Sequence, residues 1–134
     1  MERDYKLELS LLLLRLTTAA FMLVWAVAKF ANVKQQQNVA NAFYGWKDAS
    51  PEILMIIGSV QVVIVLAFAA GLFKTWTYGA VFLMHAASVL VGIGKMIPPY
   101  GPGAAMTFWA AVPVLAGIAT LWLLRDRDRL ASVG

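Results

Sequence analysis

The sequence contains no cysteine and a single histidine, His85, among its 134 residues. Without thiols the chain forms no disulfides, iron–sulfur clusters or thiolate metal sites of its own. A haem held by two histidines is also excluded, and no set of His, Asp and Glu has the spacing of metal ligands. We therefore expect no haem and no metal, so any redox role depends on a bound organic cofactor.

Charge is scarce as well, because Asp, Glu, Lys and Arg make up 13% of the residues, against about 25% in soluble domains. Hydrophobic residues make up 61%, against about 45–50%. This excess excludes a soluble domain and indicates a surface that faces lipid. Four apolar segments each have about the 20 residues that a helix needs to cross a bilayer. They cover residues 7–31, 52–73, 76–97 and 104–124. The sequence therefore predicts one transmembrane domain over residues 1–134, an all-α, four-helix antiparallel bundle.

Basic residues are distributed unequally between the two sides of the predicted bundle. The side that holds both termini carries more of them, so the positive-inside rule predicts cytoplasmic termini for a multi-pass protein of the bacterial inner membrane. This side has Arg3, Lys6, Lys74, Arg125, Arg127 and Arg129, and the other has Lys34, Lys47 and Lys95. The net charge of +4 fits contact with anionic lipid. We expect a lipid bilayer as a partner and no nucleic acid.

The long connection over residues 32–50 has apolar side chains at helical spacing. Val39, Ala42, Phe43 and Trp46 recur every three or four residues, with Tyr44 beside them. The pattern predicts a short helix at the outer membrane interface. An aromatic anchor at headgroup depth is favoured over a lid across a substrate site.

Three polar side chains are predicted to lie at similar depth in the membrane. Arg15 is in the first segment, Gln61 in the second and His85 in the third, and the rise of a helix puts them within about 5 Å in height. An intramembrane charge is a candidate functional site, so we expect a polar pocket where the three meet. The alternatives are a structural cluster that joins helices and an Arg15 side chain that extends to the cytoplasmic headgroups.

Trp25, Lys29 and Trp109 complete the candidate site. Lys29 lies near the outer end of the stripe of the first helix that contains Arg15. Extension of Lys29 to the headgroups is the first interpretation. In the second, Lys29 turns into the mouth of the bundle and attracts an anion or a quinone carbonyl. Trp25 and Trp109 supply apolar walls, and Pro113 is expected to kink the fourth helix near the same plane.

The first two segments also carry a family resemblance. The first reads LLLLRLTTAAFMLVWAVAKFAN, with Arg15 near its start and Lys29-Phe30 near its end, and the second reads GSVQVVIVLAFAAGLFKTW. This arrangement resembles the DoxX/DoxD-like family of small four-helix integral membrane proteins. The resemblance implies that Arg15 and Lys29 are family-typical positions and that Gly71 closes the second helix. It also implies an association with membrane redox systems, in which some members resemble small subunits of quinone-reducing complexes. Gln61 departs from the family, because many relatives carry a glutamate there, and His85 has no clear counterpart.

We therefore predict a membrane subunit that binds a quinone or a similar apolar ligand at a mid-membrane polar cluster, beside a redox partner protein or as a homo-oligomer. At most it is a subunit of a quinone-linked oxidoreductase, because no nucleophile or acid–base pair is evident. The candidate ligand-binding residues are Arg15, Trp25, Lys29, Gln61, His85 and Trp109. The alternatives are a non-enzymatic scaffold or assembly subunit and a small oligomeric transporter or channel.

Overall fold

The computed structural model describes residues 4–134, and this part of the chain contains helices and no strand. The α-helices are α1 (Tyr5–Ala31), α2 (Val33–Tyr44), α3 (Pro51–Ala69), α4 (Lys74–Val91) and α5 (Ala111–Leu123). Short 3₁₀ helices follow α4 (Ile93–Lys95), precede α5 (Met106–Ala110) and follow α5 (Arg125–Arg127). The all-α prediction is confirmed for these residues.

Several helix boundaries have a local cause. The first turn of α1 is capped by the carboxylate of Asp4. The hydroxyl of Ser50 accepts a hydrogen bond from the amide of Ile53 at 3.4 Å, and Pro51 follows in the first turn of α3, where an amide donor is not needed. α2 ends at Tyr44 and is followed by Gly45, whose φ of 64° is left-handed and suits glycine. Such short-range signals are readable from the sequence.

Within residues 4–134, three helical segments are long and apolar enough to cross a membrane, namely Tyr5–Ala31, Pro51–Ala69 and Met106–Leu123. Their outward faces carry large apolar side chains. Leu13, Val24 and Val63 are 56%, 71% and 67% exposed. Backbone groups in lipid must be satisfied internally, and the helix is a structure that does this within one segment. The apolar helices suggest contact with a lipid bilayer, and hence a membrane protein.

α4 is not among these three segments, although the sequence predicts a crossing at residues 76–97. Its 18 residues begin with Lys74 and include His85, which lowers their mean hydropathy. The helix ends at Val91, where Gly92 and Gly94 disfavour a longer α-helix, and a 3₁₀ turn follows. By length and composition the described residues therefore support three crossings, one fewer than predicted.

α1, α3, α4 and α5 pack around one apolar core. α1 contacts α3 and α5, and α4 contacts the same two helices. The core includes Leu11, Val65 and Ile118. Phe68 and Tyr78 meet edge to face within it, with their ring centroids 4.9 Å apart. The space between these four helices is thus filled by side chains around Phe68 and Tyr78.

α2 lies within the connection at residues 32–50, where the sequence predicts a helix. It contacts α1 and α3, and Ala40 packs with Ala49 and Leu54 in a second, smaller core. The side-chain amide of Gln37 donates a hydrogen bond to the carbonyl of Ala49 at 2.8 Å. The depth of α2 in a membrane stays a prediction.

Pro113 lies close to the junction of a 3₁₀ helix and α5, and the kink expected there stays a prediction. The α-helix begins at Ala111, so Pro113 lies in its first turn, where the missing amide donor costs no helical hydrogen bond. The preceding residues, Met106–Ala110, form a 3₁₀ helix instead. The proline therefore helps to start α5.

Candidate functional site

Arg15 is fully buried, and all three nitrogens of its guanidinium donate hydrogen bonds inside the protein. Nε donates to the carbonyl of Ala69 at 3.1 Å, and Nη2 donates to the carbonyls of Leu130 and Ala131 at 2.8 Å each. Nη1 donates to Oδ1 of Asp128 at 2.6 Å, in a salt bridge whose side chains are both 0% exposed. A buried charge is tolerated when it is paired and hydrogen-bonded, and Arg15 is both.

Arg15, Asp128 and Tyr78 form what we call the buried ion-pair cluster. The hydroxyl of Tyr78 donates to the second carboxylate oxygen of Asp128 at 2.5 Å, which joins the cluster to α4. Nearby, the amide of Val133 donates to the carbonyl of Ala70 at 2.8 Å. The segment after α5 is therefore folded back onto the end of α3 and the start of α4, and the cluster holds it there.

The predicted meeting of Arg15 with His85 and Gln61 is not found. His85 lies two helical turns, about 10 Å, beyond Tyr78 along α4. It lines a cavity together with Gln61, and Arg15 is not among the lining residues. Arg15 does not reach the cavity because its guanidinium is bonded to Asp128, at the end of the bundle that holds the start of α1 and the segment after α5. With its donors occupied and its side chain 0% exposed, Arg15 neither extends to headgroups nor offers a donor to a ligand.

Trp109 also lies outside the cavity lining. Its indole Nε1 donates to the carbonyl of Met96 at 3.0 Å, which fastens the segment before α5 to the loop after α4. Its neighbour Phe108 lines the cavity instead and meets Phe43 of α2 edge to face, with ring centroids 5.6 Å apart. Phe108 therefore forms the aromatic wall that was predicted for Trp109, the next residue in the chain.

The other four predicted site residues line a single cavity of about 470 Å³; they are Trp25, Lys29, Gln61 and His85. The cavity lies between α1, α2, α3 and α4, and Phe108 and Ala111 contribute from the start of the α5 region. Its walls are mostly apolar and rich in aromatic rings. A volume of this order suits a small organic molecule with a ring.

Lys29 is the only Lys, Arg, Asp or Glu side chain that lines the cavity in the described chain. It is half-buried, and its ammonium group donates to Oε1 of Gln36 at 3.4 Å. Gln36 also lines the cavity, and it is 4% exposed. Its amide nitrogen is buried and has no hydrogen-bond partner within residues 4–134. Lys29 thus turns into the cavity, as in the second of the two interpretations of this residue.

His85 is 4% exposed, and its imidazole is held from two sides. Nε2 lies 2.8 Å from the carbonyl oxygen of Ala111, and because a carbonyl only accepts, Nε2 carries a proton. The ring of Phe21 meets the imidazole edge to face, with centroids 5.6 Å apart. Nδ1 has no hydrogen-bond partner among the residues that the structure describes. In the neutral ring this nitrogen accepts a hydrogen bond or a proton.

Gln61 of α3 places a side-chain amide at the cavity wall. Its side chain is half-buried at the cavity wall and forms no hydrogen bond within the described range. An amide offers both donors and an acceptor, so it can bind a carbonyl oxygen or a hydroxyl. Residues 4–134 contain no group of three or more His, Cys, Asp and Glu that could hold a metal ion. The polar chemistry of the cavity is therefore hydrogen bonding and the charge of Lys29.

The sequence patterns do not identify Asp128, Tyr78 or Gln36. For Asp128 a signal exists, because an arginine inside an apolar span needs a nearby carboxylate and Asp128 lies just beyond the last span. For Gln36 the signal is weaker. It shares the buried face of α2 with Ala40, one turn away, but it stands in a run of three glutamines in which no member is distinguished.

Comparisons of the chain with protein-family models, with curated proteins and with solved structures find no match. The resemblance to the DoxX/DoxD-like family stays a prediction. The cavity and the buried ion-pair cluster are therefore the features from which a function can be inferred.

Proposed function

We propose that this chain is a membrane protein that binds a quinone, or a similarly flat apolar molecule with oxygen acceptors, in the cavity between α1, α2, α3 and α4. The observation that carries the proposal is the composition of this cavity. Its aromatic walls suit a flat ring, and the Lys29 ammonium and the Gln61 amide supply donors for carbonyl oxygens. His85 has a nitrogen able to exchange a proton with a bound quinol. We assign the chain to a membrane redox system as a subunit beside a redox partner protein.

Four crossings, with both termini in the cytoplasm of a bacterial inner membrane, are part of this proposal. α4 packs against α3 and α5, and its outward side chains Leu83 and Leu90 are each 67% exposed, as on a helix that faces lipid. The salt bridge between Arg15 and Asp128 brings the first half of α1 and the segment after α5 to the same end. Basic residues are more numerous at that end, which supports its cytoplasmic side.

Binding of a short-chain quinone analogue should quench the tryptophan fluorescence of the protein in lipid nanodiscs, because Trp25 and Trp46 line the cavity. Gln61→Leu is expected to weaken binding about tenfold, the effect of one lost hydrogen bond to an acceptor. The matched control is Gln35→Leu, at an exposed position of α2, which should bind like the wild type. Quenching that does not saturate, or equal affinities in the two variants, would contradict the proposal.

A scaffold or assembly subunit is the second candidate, and the buried ion-pair cluster favours it. The hydrogen bonds of the cluster lie within the chain and fix helices to one another, as expected of a purely structural polar cluster. This candidate predicts a partner protein that purifies with the chain and no saturable quenching by quinones. The fluorescence measurement therefore separates the two candidates.

A further inference from the structure

We propose that Lys29 and Gln36 form a subsite for an oxyanion, so that the ligand of the cavity is an amphiphile with one ionised oxygen headgroup. An ionised hydroxyquinone and a long-chain carboxylate share this chemistry. The inference rests on the proposed function, because it needs the same cavity to hold a ligand. It adds the charge of the headgroup and the end of the cavity at which the headgroup binds.

The charge of Lys29 has no counter-charge in the cavity. No Asp or Glu side chain of residues 4–134 lines it, and the ammonium is bonded only to the neutral amide of Gln36, at 3.4 Å. A half-buried cation among apolar walls is solvated less well than one in water, and an anion is the group that compensates it best. The cavity is thus electrostatically prepared for a negative charge at this end.

Gln36 supplies an independent observation. An ammonium group only donates, so the atom of Gln36 that faces Lys29 is the amide oxygen, and the amide nitrogen lies on the other branch of the group. This nitrogen is buried and has no partner within the described range, in a side chain that is 4% exposed. Buried donors without a partner are rare in native proteins. This nitrogen does not face the open cavity, so an oxygen of the ligand headgroup becomes its acceptor when the side-chain amide rotates toward the Lys29 end of the cavity.

The two donors are held in fixed positions relative to the apolar part of the cavity. Gly58 of α3 lets the helices approach so closely that a Cβ there would lie 3.0 Å from the Cβ of Lys29. Asn32 links α1 to α2, so Lys29 and Gln36 stand on two helices joined by one residue. Trp25 lies one turn below Lys29, and His85 and Met84 line the cavity from α4. A headgroup at Lys29 therefore leaves the aromatic-lined volume for an apolar body.

The test compares matched charged and neutral probes in nanodiscs. The first pair is an alkyl hydroxynaphthoquinone, ionised at mildly alkaline pH, and its methyl ether. The second pair is dodecanoate and dodecanol. We expect the wild type to bind the charged member of each pair about tenfold more tightly, because charge-assisted hydrogen bonds are stronger than neutral ones. Empty nanodiscs provide the correction for partition of each probe into lipid.

The variants assign this preference to the two residues. Lys29→Met should abolish the preference for the charged probe, and Lys29→Arg should retain this preference. Gln36→Leu should reduce it. Lys34→Met, which removes an exposed lysine of α2, is the matched control and should keep the full preference. The ratio of affinities is measured within each variant, so a lower folded fraction affects both probes of a pair equally.

The outcomes separate this inference from the proposed function. If the methyl ether binds as tightly as the hydroxyquinone in the wild type, or if Lys29→Met keeps the preference, the subsite is refuted and quinone binding stands. If dodecanoate binds through Lys29 and neither quinone binds, the subsite stands and the quinone function is refuted. If no probe shows saturable binding, both are refuted.

Discussion

Arg15→Leu is expected to destabilise the folded protein by about 3–5 kcal/mol, the cost of leaving a buried carboxylate without its cation. The substitution leaves the carboxylate of Asp128 with the hydroxyl of Tyr78 as its remaining side-chain donor within residues 4–134, while the ammonium of Lys74 still donates to the Asp128 backbone carbonyl. It also removes the donor from the carbonyls of Leu130 and Ala131. The segment after α5 then loses much of what holds it to α1. The free energy of unfolding, measured by denaturant titration in detergent micelles, reports the loss.

The control for this variant is Arg125→Leu. The guanidinium of Arg125 stacks over the ring of Trp122 at 4.0 Å and donates to the carbonyl of the same residue at 2.7 Å. It also donates to the hydroxyl of Thr75 at 3.1 Å, in an exposed hydrogen bond. Its loss should cost less than about 1 kcal/mol. Equal stabilities of Arg15→Leu and Arg125→Leu would show that the buried ion pair does not hold the fold.

The double variant Arg15→Leu, Asp128→Leu tests the cause of the effect. Removal of both charges should recover part of the stability that Arg15→Leu loses, since no unpaired buried carboxylate remains. Arg15→Leu should also leave the quinone affinity of the folded fraction unchanged, because Arg15 does not line the cavity. A stable Arg15→Leu protein with weakened quinone binding would return Arg15 to the ligand site.

Single cysteines are expected to divide into two classes when intact cells are treated with a membrane-impermeant maleimide. Gln35→Cys and Tyr100→Cys should be labelled from outside, and Val133→Cys only after the membrane is permeabilised. The chain has no natural cysteine, so each label has one position. Tyr100 is 86% exposed and Val133 is 72% exposed, so the side chains themselves do not limit the reaction.

The labelling depends on whether α4 crosses the membrane. With four crossings, residue 100 lies on the side opposite both termini, together with residue 35. If only the three more apolar segments cross, residue 100 lies on the inner side and Val133 on the outer side. Labelling of Val133→Cys from outside, without labelling of Tyr100→Cys, would therefore refute the four-crossing topology.

The helices could be predicted where their causes are local. The apolar run at residues 7–31 corresponds to α1 (Tyr5–Ala31), and the capping signal at Ser50 and Pro51 marks the start of α3. The end of α4 could not be predicted as well, because the apolar character continues through Ile93 and Ile97 after the helix has ended. Gly92 and Gly94 disfavour the α-helix at that end, which hydropathy does not report.

The candidate site could be predicted in part. Trp25 and Lys29 share one stripe of α1 by helical periodicity, and both line the cavity. Arg15 lies on the same stripe but does not line the cavity. Its guanidinium is instead bonded to Asp128, which comes from a segment far away in the sequence. The rise per residue of a helix predicts the depth of a side chain in the membrane, but it does not predict which residue that side chain will bind. Long-range pairing of this kind depends on how the chain folds back after α5, for which the sequence has no periodic signal.

Photoaffinity labelling in native membranes tests the central claim, that the cavity holds a quinone-like ligand. A quinone that carries an azide is crosslinked to the protein, and the modified residues are mapped by mass spectrometry. We expect adducts on α1 near Trp25 and on α4 near Met84 and Ser88, and their loss in the presence of excess unmodified quinone. Adducts confined to outward-facing side chains such as Val63 and Leu83, and insensitive to excess quinone, would contradict it.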